Sequence, residues 1–311
     1  MNVLVTGGAG FIGSHIVERA LSEGASVRVL DNLSSGKMAN IEAVLDKIEF
    51  FRGDILSESF LEEAVRDVDV IFHEAAIVSV PQSIREPIKS HMNGSHATLK
   101  LMQSAREAGV SRVVIASSAA VYGDAPALPK DESMPLEPIS PYAATKAACE
   151  SYARAFARSY HVDAVSLRYF NVFGPRQDPS SPYSGVISKF CKAFVNDDPI
   201  TIFGDGEQSR DFVYVDNVVE ANWLAAMSKA FKGEAINVGC GQGVTLNKMI
   251  EALNSLTASR REAAYDVERP GDIRHSRADL TKARRVLGYK PKVGFLEGLS
   301  RTLEWYQRGG E

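Results

Sequence analysis

Short apolar runs alternate with amphipathic segments over the first half of the chain. The apolar runs are rich in valine, isoleucine and phenylalanine and are too short for buried helices, so each predicts a strand. They lie at 2–6, 27–30, 48–51, 69–73, 112–116 and 163–168. Helical spacing of apolar residues is found near 57–66, 91–108 and 142–160. The alternation predicts an α/β fold, a doubly wound parallel sheet with helices on both faces.

A glycine-rich turn joins the first predicted strand to the first predicted helix. It carries Gly7, Gly10 and Gly13, and glycine lets the backbone turn tightly and approach a pyrophosphate, which the helix N-terminus favours. The next strand ends at Asp31, 31 − 13 = 18 residues after the last of these glycines. A carboxylate there accepts hydrogen bonds from an adenosine ribose and repels a 2′-phosphate. The pattern predicts a Rossmann-type site for NAD rather than NADP; the alternative is a turn that serves packing alone.

The remaining chemistry is expected at the carboxyl ends of the strands, where open parallel sheets bind ligands. Asp54-Ile55, Ala75-Ala76 and Ser117-Ser118 each follow or end a predicted strand. Past residue 171 the pattern loosens into a segment rich in proline and serine, which predicts a loop leaving the sheet. We expect residues 1–171 to form the NAD-binding domain and 172–311 a smaller lobe that closes over it. A strand near 235–239 is a candidate to return to the main sheet.

One predicted helix carries a candidate catalytic pair, Tyr142 and Lys146. Residues four apart lie on the same helix face, so the ammonium is placed to stabilise the phenolate. A phenolate so stabilised can act as a general base near neutral pH. The alternative is an amphipathic helix that has this spacing by chance.

Composition narrows the class of protein. The 311 residues are 45% apolar and 24% charged with a net charge of −4, and the basic residues are scattered, which argues against a nucleic-acid partner. No apolar run approaches the roughly 20 residues of a membrane span. The chain opens on a strand rather than a signal peptide, and its three cysteines and six histidines lack disulfide or metal-ligand spacing. We expect a soluble cytoplasmic protein with reduced thiols and no metal.

Together these motifs resemble the extended short-chain dehydrogenase/reductases, and within them the UDP-sugar 4-epimerases. The matching stretches are TGGAGFIGSH, Asp31-Asn32-Leu33, GDI at 53–55, SSAAVYG at 117–123, YAATK at 142–146 and RYFNVFGPRQDP at 168–179. They occur in the family's order, and the resemblance as a whole covers essentially the whole chain. The resemblance implies a Rossmann-type domain followed by a UDP-sugar-binding lobe.

The resemblance also assigns roles to residues. Tyr142 would take the proton of the sugar 4-hydroxyl while bound NAD accepts the hydride, Lys146 would hold the tyrosine ionised, and Ser118 would relay the proton. The implied cofactor-binding residues are Gly7, Gly10, Phe11, Ile12, Gly13, Asp31, Asn32, Ser34, Ser35, Gly36, Asp54, Ile55, Ala75, Ala76, His91, Tyr142, Lys146 and Tyr169. The implied substrate-binding residues are Ser79, Ser118, Tyr142, Asn171, Arg210, Arg269 and Ser276.

Two arginines and one serine refine the expected substrate. Arg210 and Arg269 stand where the family holds a diphosphate; the alternative is a surface salt bridge for each. The family places a residue seven after the second arginine beside the sugar 2-substituent, and here 269 + 7 gives Ser276. A small residue leaves room for an N-acetyl group, so we hypothesise activity on N-acetylated UDP-sugars alongside, or instead of, UDP-glucose. His91 departs from the family pattern, since it stands where an asparagine usually orients the cofactor.

Other functions remain open. The stretch after Ser118 is Ala119-Ala120, which lacks the acid–base pair that a 4,6-dehydratase needs to eliminate water. Epimerisation of UDP-glucuronate, another reaction of an extended short-chain enzyme on a nucleotide sugar, and a non-catalytic NAD sensor are the alternatives. The family commonly forms a dimer through the helices at 91–108 and 142–160, so we expect a homodimer; alternatively, the apolar positions of these helices all face the sheet.

Overall fold

The computed structural model describes residues 1–179, 185–268 and 273–310. The strands of this part of the chain are β1 (Asn2–Thr6), β2 (Ser26–Asp31), β3 (Ile48–Arg52), β4 (Val70–His73), β5 (Arg112–Ser118), β6 (Ala164–Tyr169), β7 (Asn171–Phe173), β8 (Thr201–Phe203), β9 (Ser209–Arg210), β10 (Phe212–Tyr214), β11 (Glu234–Val238), β12 (Val244–Thr245) and β13 (Ala264–Asp266). The α-helices are α1 (Phe11–Ser22), α2 (Glu58–Ala64), α3 (Val80–Arg85), α4 (Pro87–His91), α5 (Ala97–Glu107), α6 (Pro141–Ser159), α7 (Val186–Asn196), α8 (Val215–Met227), α9 (Leu246–Thr257), α10 (Thr281–Leu287) and α11 (Phe295–Gln307). Short 3₁₀ turns lie at Met38–Asn40, Glu42–Lys47 and Ala119–Tyr122.

A seven-stranded parallel sheet forms the centre of the molecule. Its strand order is β11-β6-β5-β4-β1-β2-β3. β2 and β3 extend the sheet on one side of β1, and β4, β5 and β6 extend it on the other, so the order of strand addition switches between β1 and β4. Successive residues of β1 alternate between the faces, with Val3 and Val5 in one core and Leu4 in the other. Because helices cover both faces, the strands read as continuous apolar runs, and the expected Rossmann-type α/β fold is confirmed.

Two separate cores lie on the two faces of the sheet. One is formed with α1, α8 and the C-terminal elements, and the other with α2, α5 and α6. β7 follows directly after β6 and pairs in parallel with β10, in the stretch of chain after residue 171, here called the lobe. β11 comes back from that lobe and pairs with β6, with Ile236 opposite Leu167.

The predicted helix at 91–108 is divided in the structure. α4 ends at His91, a π-helical turn follows over Met92–His96, and α5 continues from Ala97. The turn lies against α6: a Cβ on Gly94 would stand only 2.0 Å from Cγ2 of Thr145. An extra residue in one turn shifts the helix surface, and such turns are frequent at functional sites. None of the helices in the described ranges is long and apolar enough to cross a membrane.

Candidate active site

The glycine-rich turn forms a cradle that only glycine can line. Gly7 has φ +70°, and a Cβ there would lie 2.8 Å from the backbone nitrogen of Ala75. A Cβ on Gly13 would lie 2.2 Å from the carbonyl oxygen of Gly7. Gly10 begins α1, and within the described residues no side chain caps this helix. The first amides of α1 are therefore available to a pyrophosphate, as an NAD site requires.

Asp31 connects this turn to the end of β2. Its carboxylate accepts hydrogen bonds from the amides of Ala9 (2.9 Å) and Leu33 (2.8 Å), and the residue is only 7% exposed. Burial raises the pKa of Asp31 while these two amides act to lower it. An ionised carboxylate has about four acceptor positions, so two amides leave capacity for ribose hydroxyls. The arrangement fits the adenosine half of NAD.

Other predicted cofactor residues lie at the same edge of the sheet. The Asn32 side-chain amide donates to Asp54 Oδ2 at 2.9 Å, and the amide of Ala75 donates to Oγ1 of Thr6 at 3.3 Å. The rest differ in exposure: Ser34 and Ser35 are exposed, Phe11, Ile12, Gly36 and Ala76 are half-buried, and Ile55 is buried.

The helix that carries the candidate base is fixed at its first turn. Ser140 caps α6 by accepting the amide of Ala143 at 3.2 Å, and Pro141 occupies the first helical position, where no amide is needed. The amide of Tyr142 donates to Oγ of Ser83 in α3 at 3.0 Å. Ser83 is buried and its hydroxyl donates to the carbonyl of Val80. The start of the helix is thus held by its own cap and by a neighbouring helix.

Lys146 lies beneath Tyr142 at the carboxyl end of β5. Its ammonium donates to the carbonyl of Ala116 at 2.7 Å and lies 6.0 Å from the centre of the Tyr142 ring. Lys146 is 6% exposed, whereas Tyr142 is half-buried. Ser118 ends the same strand, and its hydroxyl accepts the amide of Ala120 at 3.2 Å. The strand end therefore brings a buried cation, a phenol and a hydroxyl into one region.

Strand pairing in the lobe brings together three of the candidate substrate residues. The amide of Asn171 donates to the carbonyl of Asp211 at 3.0 Å, and the Asn171 side chain is exposed. The amide of Ser276 donates to the carbonyl of Ser209 at 3.0 Å, and the Arg210 guanidinium donates to the same carbonyl at 3.0 Å. Asn171, Arg210 and Ser276 thus belong to adjoining segments.

The two remaining candidates are Arg269 and Ser79. Arg269 lies outside the described residues. Ser79 is buried as the N-cap of α3, where its hydroxyl accepts the amide of Gln82 at 3.0 Å.

Sequence reasoning missed Asp211, which organises this part of the lobe. Its fully buried carboxylate accepts the amides of Cys240 (2.7 Å), Gly241 (2.8 Å) and Ala278 (3.0 Å). Burial raises the pKa of Asp211 to about 6, and these amides act in the opposite direction. The residue follows Arg210 in the SRDF motif, but its partners lie 29 to 67 positions away, so local sequence carried no signal for the clamp.

Two histidines near the site have different environments. His73 is buried between Oγ1 of Thr6 (2.8 Å) and Oγ1 of Thr98 (2.9 Å), and burial, with a smaller effect of Lys146, lowers its pKa to about 3. It is therefore a neutral hydrogen-bonding link between β1, β4 and α5. His91 is exposed at the end of α4, and its Nδ1 lies 2.8 Å from Oγ of Ser95.

The hydroxyl of Tyr169, a predicted cofactor-binding residue, lies in a hydrogen-bond network of the protein itself. That hydroxyl donates to Glu74 at 2.7 Å and accepts from the side-chain amide of Asn222 at 2.7 Å. Burial raises the pKa of Glu74 to about 7, although the hydrogen bond from Tyr169 and the charge of Lys146 oppose the shift. Only the ring or backbone of Tyr169 is left for contact with a cofactor.

Fold and site define an extended short-chain dehydrogenase/reductase that binds NAD. The chain belongs to the NAD dependent epimerase/dehydratase family, whose sequence model matches residues 3–239. It is 40% identical to the UDP-glucose 4-epimerase of Mycolicibacterium smegmatis, over 99% of both chains. Among solved structures, it is similar to a UDP-N-acetylglucosamine 4-epimerase from Methanobrevibacter ruminantium in complex with UDP-N-acetylmuramic acid (44% identity, TM-score 0.95, 99% and 98% coverage). It also resembles the Thermotoga maritima UDP-glucose 4-epimerase with UDP-glucose (39% identity, TM-score 0.94, 99% of both chains).

Proposed function

We propose that this protein is an NAD-dependent 4-epimerase of UDP-hexoses. The observation that carries the proposal is the position of the Lys146 ammonium, bonded to the carbonyl of Ala116 and 6.0 Å from the Tyr142 ring, on the strand that ends in Ser118. It lies at the same edge of the sheet as the glycine cradle of α1. Relatives of this similarity over nearly the whole chain carry the same activity in their names.

In the proposed reaction, the phenolate of Tyr142 accepts the proton of the sugar 4-hydroxyl. The buried charge of Lys146 stabilises that phenolate, and the hydroxyl of Ser118 relays the proton between the sugar oxygen and the tyrosine. NAD, held by the glycine cradle of α1 and by Asp31, would supply reversible hydride transfer at carbon 4. Inversion without net oxidation requires that the two faces of the 4-keto sugar be presented in turn at the same site.

Inversion also requires that the nucleotide stays bound while the keto sugar turns. Asn171 and Arg210 lie on adjoining segments of the lobe, and Arg269 is the second arginine proposed for the diphosphate. Arginine pairs with phosphate oxygens through two parallel hydrogen bonds, which fixes the diphosphate without holding the sugar ring. The lobe is thus proposed to bind one end of the substrate and leave the other free to rotate.

Replacement of Tyr142 by phenylalanine tests the mechanism. We expect turnover of UDP-sugar to fall about 100- to 10,000-fold, the contribution usual for a general base, while the ultraviolet spectrum still shows bound NAD. Tyr152→Phe is the matched control, since this tyrosine lies on the same helix and is also half-buried. Full-speed inversion by Tyr142→Phe, or a purified wild-type protein unable to hold NAD, would refute the proposal.

The finer proposal concerns the sugar. Ser276 is half-buried and its small side chain supports entry of an N-acetyl group at carbon 2. We therefore expect turnover of UDP-N-acetylglucosamine and its 4-epimer alongside UDP-glucose and UDP-galactose. In Ser276→Tyr the acetylated sugar should lose activity at least about 10-fold more than UDP-glucose, because one added aromatic ring fills the space. UDP-glucuronate belongs in the same assay, since it is the alternative substrate; turnover of that sugar alone would replace the proposal.

We also propose a homodimer through the helices at 91–108 and 142–160. Leu99 and Tyr152 keep part of their surface accessible in the single chain. Light scattering of the purified protein tests this: a mass near 34 kDa, that of one chain of 33.8 kDa, would contradict it.

A further inference from the structure

The face of α6 that carries Tyr142 and Lys146 carries a third functional side chain, Glu150. It lies four residues after the lysine and is only 1% exposed. Opposite it, on β6, lies Arg168, which is 2% exposed. The two form a buried ion pair with two hydrogen bonds, from Nε to Oε1 at 2.8 Å and from Nη2 to Oε2 at 2.7 Å. A fork of this kind fixes both the distance and the rotation of the groups that it joins.

The ion pair also reaches the strand that carries Ser118. The hydroxyl of Ser117 donates to Glu150 Oε1 at 2.6 Å. Arg168 Nη1 donates to the hydroxyl of Tyr122 at 2.8 Å, and that hydroxyl donates to Oδ1 of Asn237 at 2.7 Å. Ser117 directly precedes Ser118, and Tyr122 ends the 3₁₀ turn that follows it. One carboxylate thus connects the helix of the candidate base to β5, β6 and β11.

Stability alone does not account for such a pair. Removing two charges from water costs several kcal/mol each, and apolar replacements of buried ion pairs are often neutral or stabilising by about 1–4 kcal/mol. What the pair supplies is a fixed register of α6 on the sheet. That register sets where Lys146 meets the carbonyl of Ala116 and hence where Tyr142 lies relative to Ser118.

We propose that Glu150 and Arg168 are positioning residues for the reaction, because their ion pair fixes the height and rotation of α6 at the carboxyl end of β5. The inference rests on the proposed 4-epimerase function. Neither side chain touches the substrate: both act through the placement of Tyr142 and Lys146. A displacement of about 1 Å from a reactive geometry can lower a rate about 100-fold, so a small shift of this helix has a large effect.

The test uses two variants of the NAD-loaded protein, Glu150→Gln and the apolar pair Glu150→Leu/Arg168→Met. We expect kcat to fall 10- to 100-fold in both, with KM for the UDP-sugar changed less than about threefold. The apolar pair leaves no unpaired buried charge, so it should unfold cooperatively and retain NAD.

A matched control lies at the other end of the same two strands. Arg112 begins β5 and donates from Nε (3.2 Å) and Nη2 (2.6 Å) to Asp163 Oδ2, just before β6. Asp163→Asn should lower the unfolding midpoint without moving kcat. Wild-type kcat in the apolar Glu150/Arg168 variant, or an equal loss of kcat in Asp163→Asn, would overturn the positioning role.

Hydrogen exchange separates this inference from the proposed function. Amides of residues 142–150 should exchange faster in Glu150→Gln than in wild type, and should be unchanged in Asp163→Asn. If the wild type turns over none of the UDP-sugars, the proposed function fails whatever the exchange shows. If the wild type is active but exchange over 142–150 and kcat are both unchanged in Glu150→Gln, the function stands and the positioning role is wrong.

Discussion

Replacement of Gly94 by alanine is expected to disturb the helix of the candidate base through a single methyl contact. The added Cβ would stand 2.0 Å from Cγ2 of Thr145, but 3.4 Å from its Cβ and 3.9 Å from its Oγ1. Carbon atoms in contact are normally about 3.5–4.0 Å apart, so one helix must move by about 1.5–2 Å or the threonine must leave its rotamer. Thr145 lies between Tyr142 and Lys146 on α6, so any movement reaches both.

The size of the effect follows from two opposing contributions. Overpacking a core usually costs about 1–3 kcal/mol, while alanine is favoured over glycine inside a helix by about 1 kcal/mol. We therefore expect Gly94→Ala to lower the free energy of unfolding by about 1–2 kcal/mol. Turnover should fall further, about 10- to 100-fold, because a shift of more than about 1 Å separates the reacting groups.

A second substitution makes the argument specific. Thr145→Ser removes only Cγ2 and by itself should cost about 1 kcal/mol for the lost methyl group. In Gly94→Ala/Thr145→Ser the clash disappears, so the two changes should be non-additive by at least about 1 kcal/mol in a double-mutant cycle. Urea unfolding of the NAD-loaded proteins and initial rates with UDP-sugar provide the two readouts.

The control is Gly294→Ala. No described atom lies within 4 Å of a Cβ built at this N-cap of α11, so stability should change by less than about 1 kcal/mol and turnover should not change. The reasoning is wrong if Gly94→Ala behaves like this control. It is also wrong if the serine variant leaves the defect of Gly94→Ala in place.

Three further outcomes are expected. Gly13→Ala places a Cβ 2.2 Å from the carbonyl oxygen of Gly7, a backbone atom that cannot rotate away. The protein should therefore purify without the ultraviolet signature of NAD. Retained NAD would contradict the role of the glycine turn as the pyrophosphate site. Burial raises the pKa of Glu74 from 4.5 to about 7, so the folded state binds the proton more tightly than the unfolded state. The free energy of unfolding should therefore fall by up to about 3 kcal/mol as the pH rises from the unfolded to the folded pKa. Urea unfolding from pH 5 to pH 8 should show this fall in wild type and a flatter curve in Glu74→Gln; parallel curves would disprove it. Ser83→Ala removes the acceptor of the Tyr142 amide and should lower kcat about 10-fold. Ser140→Ala removes only the helix cap and should lower stability by about 1 kcal/mol with kcat nearly unchanged. Equal kcat in the two variants would refute a role for Ser83.

The sheet was predictable because most of its strands are largely buried and therefore apolar along their length. Six apolar runs were identified in the first 170 residues. Both ends of each run fall within two residues of the corresponding ends of an observed strand, β1 to β6. The glycine turn and the Tyr-Lys pair were recognisable for a similar reason: their geometry is encoded within a few neighbouring residues. Local spacing sufficed wherever the structure depends on local contacts.

Features that depend on distant partners were not visible. Glu150 reads in the sequence as one more charged residue of an amphipathic helix, yet it is buried against an arginine 18 positions away. The amide partners of Asp211 come from two separate segments of the lobe. The π-helical turn at Met92–His96 depends on the absence of a side chain at Gly94 facing another helix. In each case the decisive contact is tertiary, and a pattern of apolar and polar positions contains no record of it.

The return of β11 to the sheet has a consequence for how the chain can be divided and synthesised. β6 is an inner strand only because residues 234–238 pair with it in parallel. A polypeptide ending at residue 171 would leave the amides and carbonyls of β6 open along one side, a surface that recruits strands from other molecules. On the ribosome the same edge stays open until more than sixty further residues have been added, 234 − 169 = 65 to the first residue of β11. The nucleotide-binding half therefore depends on the lobe for protection against aggregation while the chain is being made.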